Sequence, residues 1–459
     1  MNIDAIKSVY FIGAGGIGMS ALVRYFLSLG KEVVGYDRTP SELTERLNAE
    51  GAAIHYEDNV ALIPDTCRCK EHTLVVYTPA VPKEHGELTW FREQGFEIQK
   101  RAQVLGTITR SRKGLCVAGT HGKTTTSSMA AHLVYNSHVG TTAFLGGISQ
   151  NYGTNLLLTD KSDYVVIEAD EYDRSFHQLS PYVTVITSTD PDHLDIYGTP
   201  EAYWESFEHY TSLISPDGAL IIHEGLEITP RVKEGVRVLT YSRDKGDYHA
   251  ENIRIGGGEI EFDFVHPGGV IKDIRLGVPL SVNIDNGIAA MAMAQLVGVT
   301  DEELREAMAS FRGVERRFDF KLKTDTKVYL SDYAHHPAEI RQSARSIREL
   351  YAGRKVTAIF QPHLFSRTQD FYREFAESLS LFDEVILTDI YPAREEPIPG
   401  VTSALIYDNL APQVKKQMIA KSEVPAIVAA KKEELEVLVT LGAGDIENFA
   451  TEITTILKA

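Results

Sequence analysis

One stretch decides how the chain is interpreted, Cys116-Val117-Ala118-Gly119-Thr120-His121-Gly122-Lys123-Thr124-Thr125-Thr126. The apolar run from Gly114 to Ala118 predicts a buried strand, and the glycines after it predict a turn into a helix that extends to about His138. The backbone N–H groups of such a turn converge on an anion, and the helix N-terminus adds a favourable dipole. The stretch therefore predicts a phosphate-binding loop.

Two side chains of this loop have predicted roles of their own. Lys123 is placed to reach the outer phosphates of a nucleotide, and the Thr124 hydroxyl is available to magnesium. The usual pattern has a glycine five residues before Gly122, where this chain has Val117. We therefore expect a compact variant of the loop. The alternative is an ordinary strand-to-helix turn with a solvated lysine.

Length and composition predict a cytoplasmic protein of about three domains. The chain has 459 residues, of which 43% are hydrophobic and 24% charged, and its formal net charge is −18. This acidity argues against nucleic acid or an anionic membrane as partner, because such binding needs clustered Lys and Arg. The negative net charge does not argue against a small anionic ligand that is bound in a locally basic cleft. The three cysteines lack zinc-site spacing, and neither a membrane span nor a signal peptide is expected.

A second glycine-rich loop lies near the N-terminus. The apolar run Ser8 to Ile12 leads into it, an amphipathic helix follows, and the next apolar run ends at Asp37. This order matches the dinucleotide-binding fingerprint, with Asp37 at the distance expected for a ribose. Such a loop indicates a diphosphate, which NAD and a nucleotide sugar both carry, so both remain open. The loop consists of Gly13, Ala14, Gly15, Gly16, Ile17 and Gly18.

A proline-containing turn, Tyr77 to Pro82, follows a later predicted strand of the same segment. It includes Thr78 and falls at the strand end where ligands of such sheets bind. A plain proline-rich loop is an equally good interpretation of this turn.

The middle of the chain places acids and a histidine after two predicted strands, which end near Glu168 and Thr187. Magnesium prefers oxygen ligands, so Glu168 is a candidate ligand, whereas a histidine such as His193 beside acids is more often only hydrogen-bonded. Residues 236–274 alternate apolar and polar positions, which predicts antiparallel hairpins. Asn283 and Asn286 precede an apolar helix predicted from Gly287, either as caps or as ligands.

From Gly313 the pattern predicts another α/β unit. Strands are expected at Lys327 to Ser331, Val356 to Phe360, Glu384 to Thr388 and Ala426 to Ala429, with a closing helix from Asp445. The loops after these strands are rich in cationic side chains, which predicts an edge that binds a carboxylate. These side chains are His335, His336, His363, Arg367 and Arg394.

The predicted fold is therefore α/β with three domains. Residues 1–102 form a Rossmann-like domain, residues 103–312 a central P-loop ATPase-like domain with an antiparallel extension, and residues 313–459 a C-terminal Rossmann-like domain. Two anion loops and a carboxylate-binding edge suggest joining chemistry, because a carboxylate becomes reactive towards an amine once it is phosphorylated. Redox chemistry would leave Lys123, Glu168 and His193 without a purpose.

The motifs, taken together and in order, resemble the ATP-dependent Mur ligases of peptidoglycan synthesis. Within that family the chain is similar to the branch that attaches L-alanine to UDP-N-acetylmuramate, because of its opening loop and of Asp332-Tyr333-Ala334-His335-His336-Pro337 and Gln361-Pro362-His363. The resemblance spans nearly the whole chain. It rests on Gly119 to Thr126, Glu168-Ala169-Asp170-Glu171, Asp192-His193-Leu194-Asp195, Asn283 with Asn286, Arg317 and Asp332.

The resemblance implies a role for each motif. The implied catalytic residues are Lys123, Glu168 and His193. The implied ligands of magnesium, or alternatively manganese, are Thr124, Glu168 and His193. The implied ATP site comprises Gly119, Thr120, His121, Gly122, Lys123, Thr124, Thr125, Asn283, Asn286, Arg317 and Asp332. The glycine loop Gly13 to Gly18, Asp37, Thr78 and His121 would bind the UDP-sugar, and Tyr333, His335, His363 and Arg367 would bind the amino acid.

The chain departs from the family pattern at three places. No lysine occurs between Lys161 and Lys233, where other branches carry a carbon dioxide-modified lysine. Leu364 replaces an arginine, so Arg367 or Arg394 would serve the amino acid, and Val282 replaces a histidine.

Three rival functions remain at this stage. They are a recycling ligase that attaches a tripeptide to UDP-N-acetylmuramate, an NAD-dependent oxidoreductase and a catalytically silent binding protein. The sequence is compatible with a monomer or a homodimer.

Overall fold

The computed structural model describes residues 3–82, 84–315, 317–393 and 395–459. The chain divides into two compact units. The first consists of the residues up to Asn252, Phe262–Ile274 and Ile284–Arg312, and the second of Ile253–Glu261, Arg275–Asn283 and Gly313–Ala459. Among the described helices, none has the length and apolar character that a membrane crossing requires.

The first unit begins with a parallel five-stranded sheet. Its strands are β1 (Ser8–Ile12), β2 (Glu32–Tyr36), β3 (Ala53–His55), β4 (Thr73–Tyr77) and β5 (Glu97–Lys100), and their order is β3-β2-β1-β4-β5. The helices are α1 (Ile17–Ser28), α2 (Glu42–Ala49), α3 (Gly86–Glu93) and α4 (Arg101–Ser111). All five residues of β1 are buried, as expected for a central parallel strand with both faces covered. The predicted Rossmann-like arrangement is confirmed.

The neighbouring positions of β1 and β4 bring two predicted loops together. Ser8 of β1 lies opposite Thr73 of β4 in a parallel register, so both strands end at the same edge. The Thr78 N–H donates to the Ile12 carbonyl at 3.3 Å. A Cβ on Gly13, whose φ is +89°, would lie 2.4 Å from the Thr78 methyl carbon. Only glycine is compatible with this approach.

The central part of the first unit is built on a seven-stranded sheet in the order β12-β11-β10-β6-β9-β7-β8. The strands are β6 (Lys113–Ala118), β7 (Thr142–Ser149), β8 (Thr154–Leu157), β9 (Tyr164–Glu168), β10 (Pro181–Ile186), β11 (Ala219–His223) and β12 (Arg237–Tyr241). The helices are α5 (Lys123–Tyr135), α6 (Leu194–Tyr197) and α7 (Pro200–Thr211). The β12 strand pairs in parallel with β11, so the antiparallel pattern predicted from Val236 begins only after Tyr241.

The next segment forms a three-stranded sheet of β13 (His249–Gly256), β14 (Glu259–His266) and β15 (Gly269–Arg275). Only two residues separate each strand from the next, and parallel strands would need a much longer crossover. These hairpins are the predicted antiparallel extension. Two helices follow, α8 (Val282–Leu296) and α9 (Asp301–Ser310). The α8 helix begins five residues before the predicted Gly287, so Asn283 and Asn286 lie within its N-terminal part rather than before it.

The second unit contains a six-stranded sheet in the order β16-β17-β21-β18-β19-β20. Its strands are β16 (Asp319–Lys323), β17 (Val328–Asp332), β18 (Val356–Phe360), β19 (Glu384–Leu387), β20 (Lys415–Met418) and β21 (Val437–Leu441). All pairs are parallel except β16 with β17. The helices are α10 (Pro337–Leu350), α11 (Phe365–Leu379), α12 (Ala404–Asn409), α13 (Val424–Lys431) and α14 (Ala450–Lys458).

One predicted strand of this unit is wrong. Ala426 to Ala429 lie in the α13 helix, and the strand that the sheet needs at its centre is β21. The run from Val424 to Lys431 is apolar but consists largely of alanine and valine, and periodicity alone does not separate a short strand from a short buried helix.

Helix α1 fixes the N-terminal sheet against the central one inside the first unit. Arg24, which is 9% exposed, donates to Asn155 Oδ1 at 2.5 Å and to Glu50 Oε2 at 2.8 Å. Asn155 donates in turn to the Ile17 carbonyl at 2.6 Å and to Ser20 Oγ at 2.9 Å. Because Arg24, Ser20 and Asn155 are buried, the start of α1 and the glycine loop before it have a defined position relative to β8.

Helix α4 also packs closely within the first unit, and a glycine inside it, Gly106, tests how closely α4 approaches Gln178. Replacing an interior helical glycine by alanine usually stabilises by about 1 kcal/mol. At Gly106 a Cβ would lie 2.1 Å from the Gln178 carbonyl oxygen, so we expect Gly106→Ala to lower the free energy of unfolding by about 1–3 kcal/mol. Chemical denaturation measures the change. Thr107→Ala, at the partly exposed neighbouring position, is the control, and equal stability of Gly106→Ala and wild type would contradict the packing.

Candidate functional site

The predicted phosphate loop has the expected strand, turn and helix. Strand β6 ends at Ala118, and Gly122 caps the N-terminus of α5 with a φ of +80°. Gly119 has a φ of +137°, and a Cβ there would lie 2.0 Å from Thr187 Oγ1. Both glycines are therefore required by backbone conformation or by close contact. Thr124 and Thr125 follow Lys123 in the first turn of α5.

The loop after β10 holds the phosphate loop in place. Thr120 N–H donates to the Ser188 carbonyl at 3.1 Å, and its hydroxyl donates to the Asp190 carbonyl at 2.7 Å. His121 N–H donates to Ser188 Oγ at 2.8 Å. The His121 ring is 72% exposed, with Nε2 3.7 Å from Asp190 Oδ2. The backbone of the loop is thus fixed while the His121 side chain remains accessible.

Lys123 forms a buried ion pair that the sequence did not predict. Its Nζ lies 2.9 Å and 2.7 Å from the two carboxylate oxygens of Glu171, whose side chain is 2% exposed. Nζ also donates to the carbonyls of Gly119 at 2.7 Å and Thr120 at 3.2 Å. Burial raises the pKa of Glu171, and the Lys123 charge opposes that shift. A phosphate could replace any of these acceptors of the lysine.

His193 lies beside the same carboxylate. Its Nε2 is 3.7 Å from Glu171 Oε1 and 3.8 Å from Asp192 Oδ2, and the ring is 31% exposed. The residue has a left-handed backbone with φ +54°, which is uncommon for a non-glycine residue and frequent at functional sites. From the sequence, Glu171 was recognised only as part of a motif. In the structure its carboxylate contacts both Lys123 and His193.

Glu168 and Thr124 converge on Gly146 of β7. A Cβ on Gly146 would lie 1.9 Å from Glu168 Oε2 and 3.2 Å from Thr124 Oγ1, so only glycine leaves this space open. Among the described groups, Glu168 Oε2 is buried and has no hydrogen-bond partner. Burial raises the pKa of Glu168, against the opposing effect of the Lys123 charge. A buried oxygen without a proton donor, next to a hydroxyl, fits a hard divalent cation.

Asn286 is also part of the loop's surroundings. Its Oδ1 accepts from Thr126 Oγ1 at 3.1 Å and lies 2.7 Å from the position of a Cβ on Gly122. Asn283 belongs to the second unit, where its Nδ2 donates to the Val278 carbonyl at 3.0 Å. Both asparagines are buried. Their predicted part in binding adenine stays a prediction.

The glycine loop of the N-terminal sheet lies beside a cleft of about 430 Å³, whose lining includes Gly16, Gly18 and Thr78. Asp37 Oδ2 accepts from the Gly15 N–H at 2.6 Å, and Oδ1 accepts from the Thr39 N–H at 3.2 Å. The carboxylate therefore braces the loop itself. Its predicted contact with a ribose stays a prediction.

In the second unit, Asp332 and the predicted amino-acid residues occupy the carboxyl edge of the sheet. Asp332 ends β17 and accepts from the Phe318 N–H at 3.3 Å and from the Ser343 hydroxyl. Burial raises its pKa, whereas the Arg317 charge lowers it. The rings of Tyr333 and His335 are 5.1 Å apart. The predicted role of Arg317 and Asp332 in binding the nucleotide stays a prediction.

His363 and Arg367 complete this edge. The His363 ring is 5.9 Å from that of His335 and stacks on Tyr391 at 5.7 Å. Burial lowers the pKa of His363 to about 4, and the charges of Arg367 and His335 add to the shift. Among the described groups, Arg367 Nη1 is buried and has no hydrogen-bond partner. A buried guanidinium nitrogen without an acceptor fits a carboxylate ligand. Arg394, the alternative cation, lies outside the described residues.

Models of three Mur ligase domains match consecutive parts of the chain. The Mur ligase family catalytic domain matches residues 8–113, the Mur ligase middle domain residues 117–294, and the Mur ligase glutamate ligase domain residues 316–444. The chain therefore belongs to the Mur ligase family, an ATP-dependent family of ligases. This confirms the family that the motifs predict. The domain boundaries at residues 102 and 312 stay predictions.

Individual relatives are more specific. The chain is 67% identical over 458 residues to the UDP-N-acetylmuramate--L-alanine ligase of Phocaeicola vulgatus, covering 100% of both chains. The crystal structure of a UDP-N-acetylmuramate-alanine ligase from Thermotoga maritima matches with a TM-score of 0.82 at 28% identity, over 98% of this chain and 99% of that one. A murein peptide ligase from Psychrobacter arcticus shares the fold, with a TM-score of 0.66 at 20% identity over 98% of each chain.

The His363 environment gives a prediction for proton titration. We expect its imidazole to stay neutral well below pH 6, because burial and neighbouring cations oppose protonation. An unfolded histidine titrates near pH 6.5, so the unfolded state binds more protons between that pH and about pH 4. Stability should accordingly fall as the pH is lowered through this range. NMR titration of the imidazole measures the pKa of His363. In the Arg367→Ala variant we expect this pKa to be higher than in wild type, because a neighbouring positive charge is removed. A His363 signal that titrates normally in wild type would contradict the described burial.

Proposed function

We propose that the protein is a cytoplasmic ligase that joins L-alanine to the carboxylate of UDP-N-acetylmuramate, with conversion of ATP to ADP and phosphate, in peptidoglycan precursor synthesis. The observation that carries the proposal is the phosphate loop, with Lys123 paired to the buried Glu171, on a chain 67% identical over 458 residues to a ligase of that name. This is also the branch that the sequence predicts. We assign residues 1–102 to the nucleotide sugar, 103–312 to ATP and 313–459 to L-alanine.

The reaction has two chemical steps. The muramate carboxylate attacks the γ-phosphorus of ATP, so an acyl phosphate forms and ADP leaves. The neutral amine of L-alanine then attacks the carbonyl carbon, phosphate leaves, and the amine proton passes to a base. The first step is catalysed chiefly by positioning and by neutralising charge on the transferring group.

The phosphate loop supplies the cationic and dipolar part of this catalysis. We propose that Lys123 exchanges its carbonyl and Glu171 contacts for the β- and γ-phosphate oxygens. The backbone of Gly119, Thr120, His121 and Gly122, with Thr125 at the start of α5, forms the anion cradle. Asn283, Asn286, Arg317 and Asp332 are assigned to the rest of the nucleotide.

A divalent cation fits the site near Gly146. Thr124 and Glu168 would hold it, and the resemblance implies His193 as a further ligand. When bound, Mg²⁺ or Mn²⁺ neutralises phosphate charge. The supporting observation is the buried oxygen of Glu168 without a hydrogen-bond partner beside the Thr124 hydroxyl.

The amino acid is assigned to the carboxyl edge of the second unit. Arg367 would bind the L-alanine carboxylate, with Tyr333, His335 and His363 around it. This leaves the amine free to react. The UDP-sugar is assigned to the glycine loop Gly13 to Gly18 with Asp37, Thr78 and His121. A recycling ligase is the alternative, and the higher TM-score with the alanine ligase favours L-alanine.

A substrate-dependence assay tests the function. We expect phosphate release only when UDP-N-acetylmuramate, ATP, magnesium and L-alanine are all present, with one ADP formed for each amide bond. Mass spectrometry identifies the product, and omission of each component is the control. Turnover with L-alanyl-D-glutamyl-meso-diaminopimelate but not with L-alanine would refute the proposal in favour of recycling.

Lys123→Ala tests the phosphate loop. We expect turnover to fall by roughly 10²–10³-fold or more, because a preorganised positive charge on the transferring group is removed. The substitution also leaves Glu171 buried without its partner, which costs about 3–5 kcal/mol unless the carboxyl takes up a proton. We therefore expect the single variant to lose stability as well.

A second variant separates these two effects. Lys123→Ala combined with Glu171→Gln removes the unpaired charge, so thermal unfolding should recover towards wild type while turnover stays low. Recovery of turnover along with stability would show that Lys123 acts only through folding.

A further inference from the structure

Two adjoining cavities of the first unit share one arginine. The cleft of about 430 Å³ beside the glycine loop is lined by Gly16, Gly18, Lys100 and Arg101, among others. A smaller cavity of about 160 Å³ is lined by Gly18, Arg101 and Glu168, among others. Arg101 therefore lies between the loop assigned to the diphosphate and the acid assigned to the metal. Sequence reasoning had assigned it no role.

The Arg101 guanidinium is held in place from two sides. Its Nη2 lies 3.0 Å from Asp170 Oδ2. On the other side it covers Gly18, where a Cβ would lie 2.0 Å from Nη1 and 2.9 Å from the guanidinium carbon. Both partners are only partly exposed, at 29% for Arg101 and 36% for Asp170. A side chain at position 18 would therefore displace the guanidinium from this place.

This arrangement places a cation beside the positive end of a helix dipole. Helix α1 begins at Ile17, and its first turn, which is fully described, contains no acidic residue. A cation at a helix N-terminus is unfavourable by itself, whereas an anion there is favourable. Asp170 balances the Arg101 charge, and Lys100 is paired with Asp173 at 2.6 Å. The helix N-terminus and the donors of the guanidinium together therefore favour an anion in the larger cleft.

We propose that Arg101 binds the diphosphate of the nucleotide sugar, and that Asp170 is the positioning residue that keeps its guanidinium against Gly18. The inference rests on the proposed function, because it assigns a residue to the first substrate of that reaction. The diphosphate is favoured over the muramate carboxylate because the guanidinium covers the last glycine of the loop, where the α1 dipole acts. A planar guanidinium can donate to two phosphate oxygens while it keeps its bond to Asp170.

Calorimetric binding without ATP or L-alanine tests the assignment. The probes are UDP, UDP-N-acetylglucosamine and UDP-N-acetylmuramate, which share the diphosphate, and only the last carries the carboxylate. We expect Arg101→Ala to weaken binding of all three by a similar factor of about tenfold or more, because charge-assisted hydrogen bonds are lost. Arg101→Lys should weaken it less, because it retains the charge. Asp170→Asn should also weaken binding of all three probes by a similar factor, but less than Arg101→Ala does.

The matched control is Arg92→Ala. Arg92 lines another cavity of about 370 Å³, which shares Lys100, Ala102 and Ser175 with the larger cleft but includes no residue of the glycine loop. Its loss removes the same charge at a distance from the loop and should leave all three affinities unchanged. Thermal unfolding confirms that each variant is folded. If Arg101→Ala does not fold, Arg101→Gln replaces it, because glutamine can still donate to Asp170, and the same pattern of losses is expected.

The outcomes separate this inference from the proposed function. Unchanged UDP affinity in the folded Arg101 variant would overturn the inference, and a loss confined to UDP-N-acetylmuramate would reassign the guanidinium to the carboxylate. Failure of the wild-type protein to bind any of the three would instead contradict the proposed function. Steady-state kinetics gives a second readout, because a binding residue should raise KM for the nucleotide sugar more than it lowers kcat.

Discussion

The ion pair between Lys123 and the buried carboxylate of Glu171 is the constraint on which the proposed ATP site depends. An ammonium group removed from water is costly unless acceptors surround it, and here Glu171 and two loop carbonyls supply them. The lysine is thereby kept inside the loop, desolvated and close to the position where phosphates would bind. In the proposed reaction a nucleotide would substitute one set of acceptors for another, so little reorganisation would be needed at the moment of reaction.

The second constraint is the packing of α1 onto the central sheet. Arg24 and Asn155 are buried partners, and the Asn155 amide also binds the Ile17 carbonyl at the start of the helix. Removing either would leave a buried polar group unpaired, which is costly. Both glycine loops therefore belong to one packed unit, and side-chain contacts rather than a linker set their separation. Such fixed geometry is what a reaction between two phosphorylated ligands requires.

The sequence predicted the elements whose signals are local. The glycine loops, their flanking strands and helices, and the motif residues Lys123, Glu168 and His193 were all found where periodicity and turn residues placed them. Strand β21 was missed although Val437–Leu441 is an apolar, largely β-branched run, because the strand was predicted at Ala426 to Ala429 instead. Which of two neighbouring apolar runs enters the sheet is decided by pairing with β17 and β18, which are far away in sequence. Glu171 and Arg101 were also assigned no role, because their importance lies in contacts with Lys123, His193 and Gly18. The sequence did offer one indication for Arg101. It follows directly after β5, and the carboxyl ends of parallel strands are where ligands of such sheets bind.

Leu364 shows how the amino-acid edge differs from the family pattern. Its φ of +70° and ψ of +138° are in a region that almost only glycine adopts, so the surrounding structure must impose them. Its N–H donates to the Tyr391 carbonyl at 2.9 Å, and its own carbonyl accepts from the Thr368 hydroxyl at 2.8 Å. The backbone is thus fixed between His363 and α11 whatever side chain stands at 364. The hydrogen bonds that hold this backbone therefore do not involve the side chain at position 364. Arg367, in the first turn of α11, stays the predicted cation for the amino acid, with Arg394 as the alternative outside the described residues.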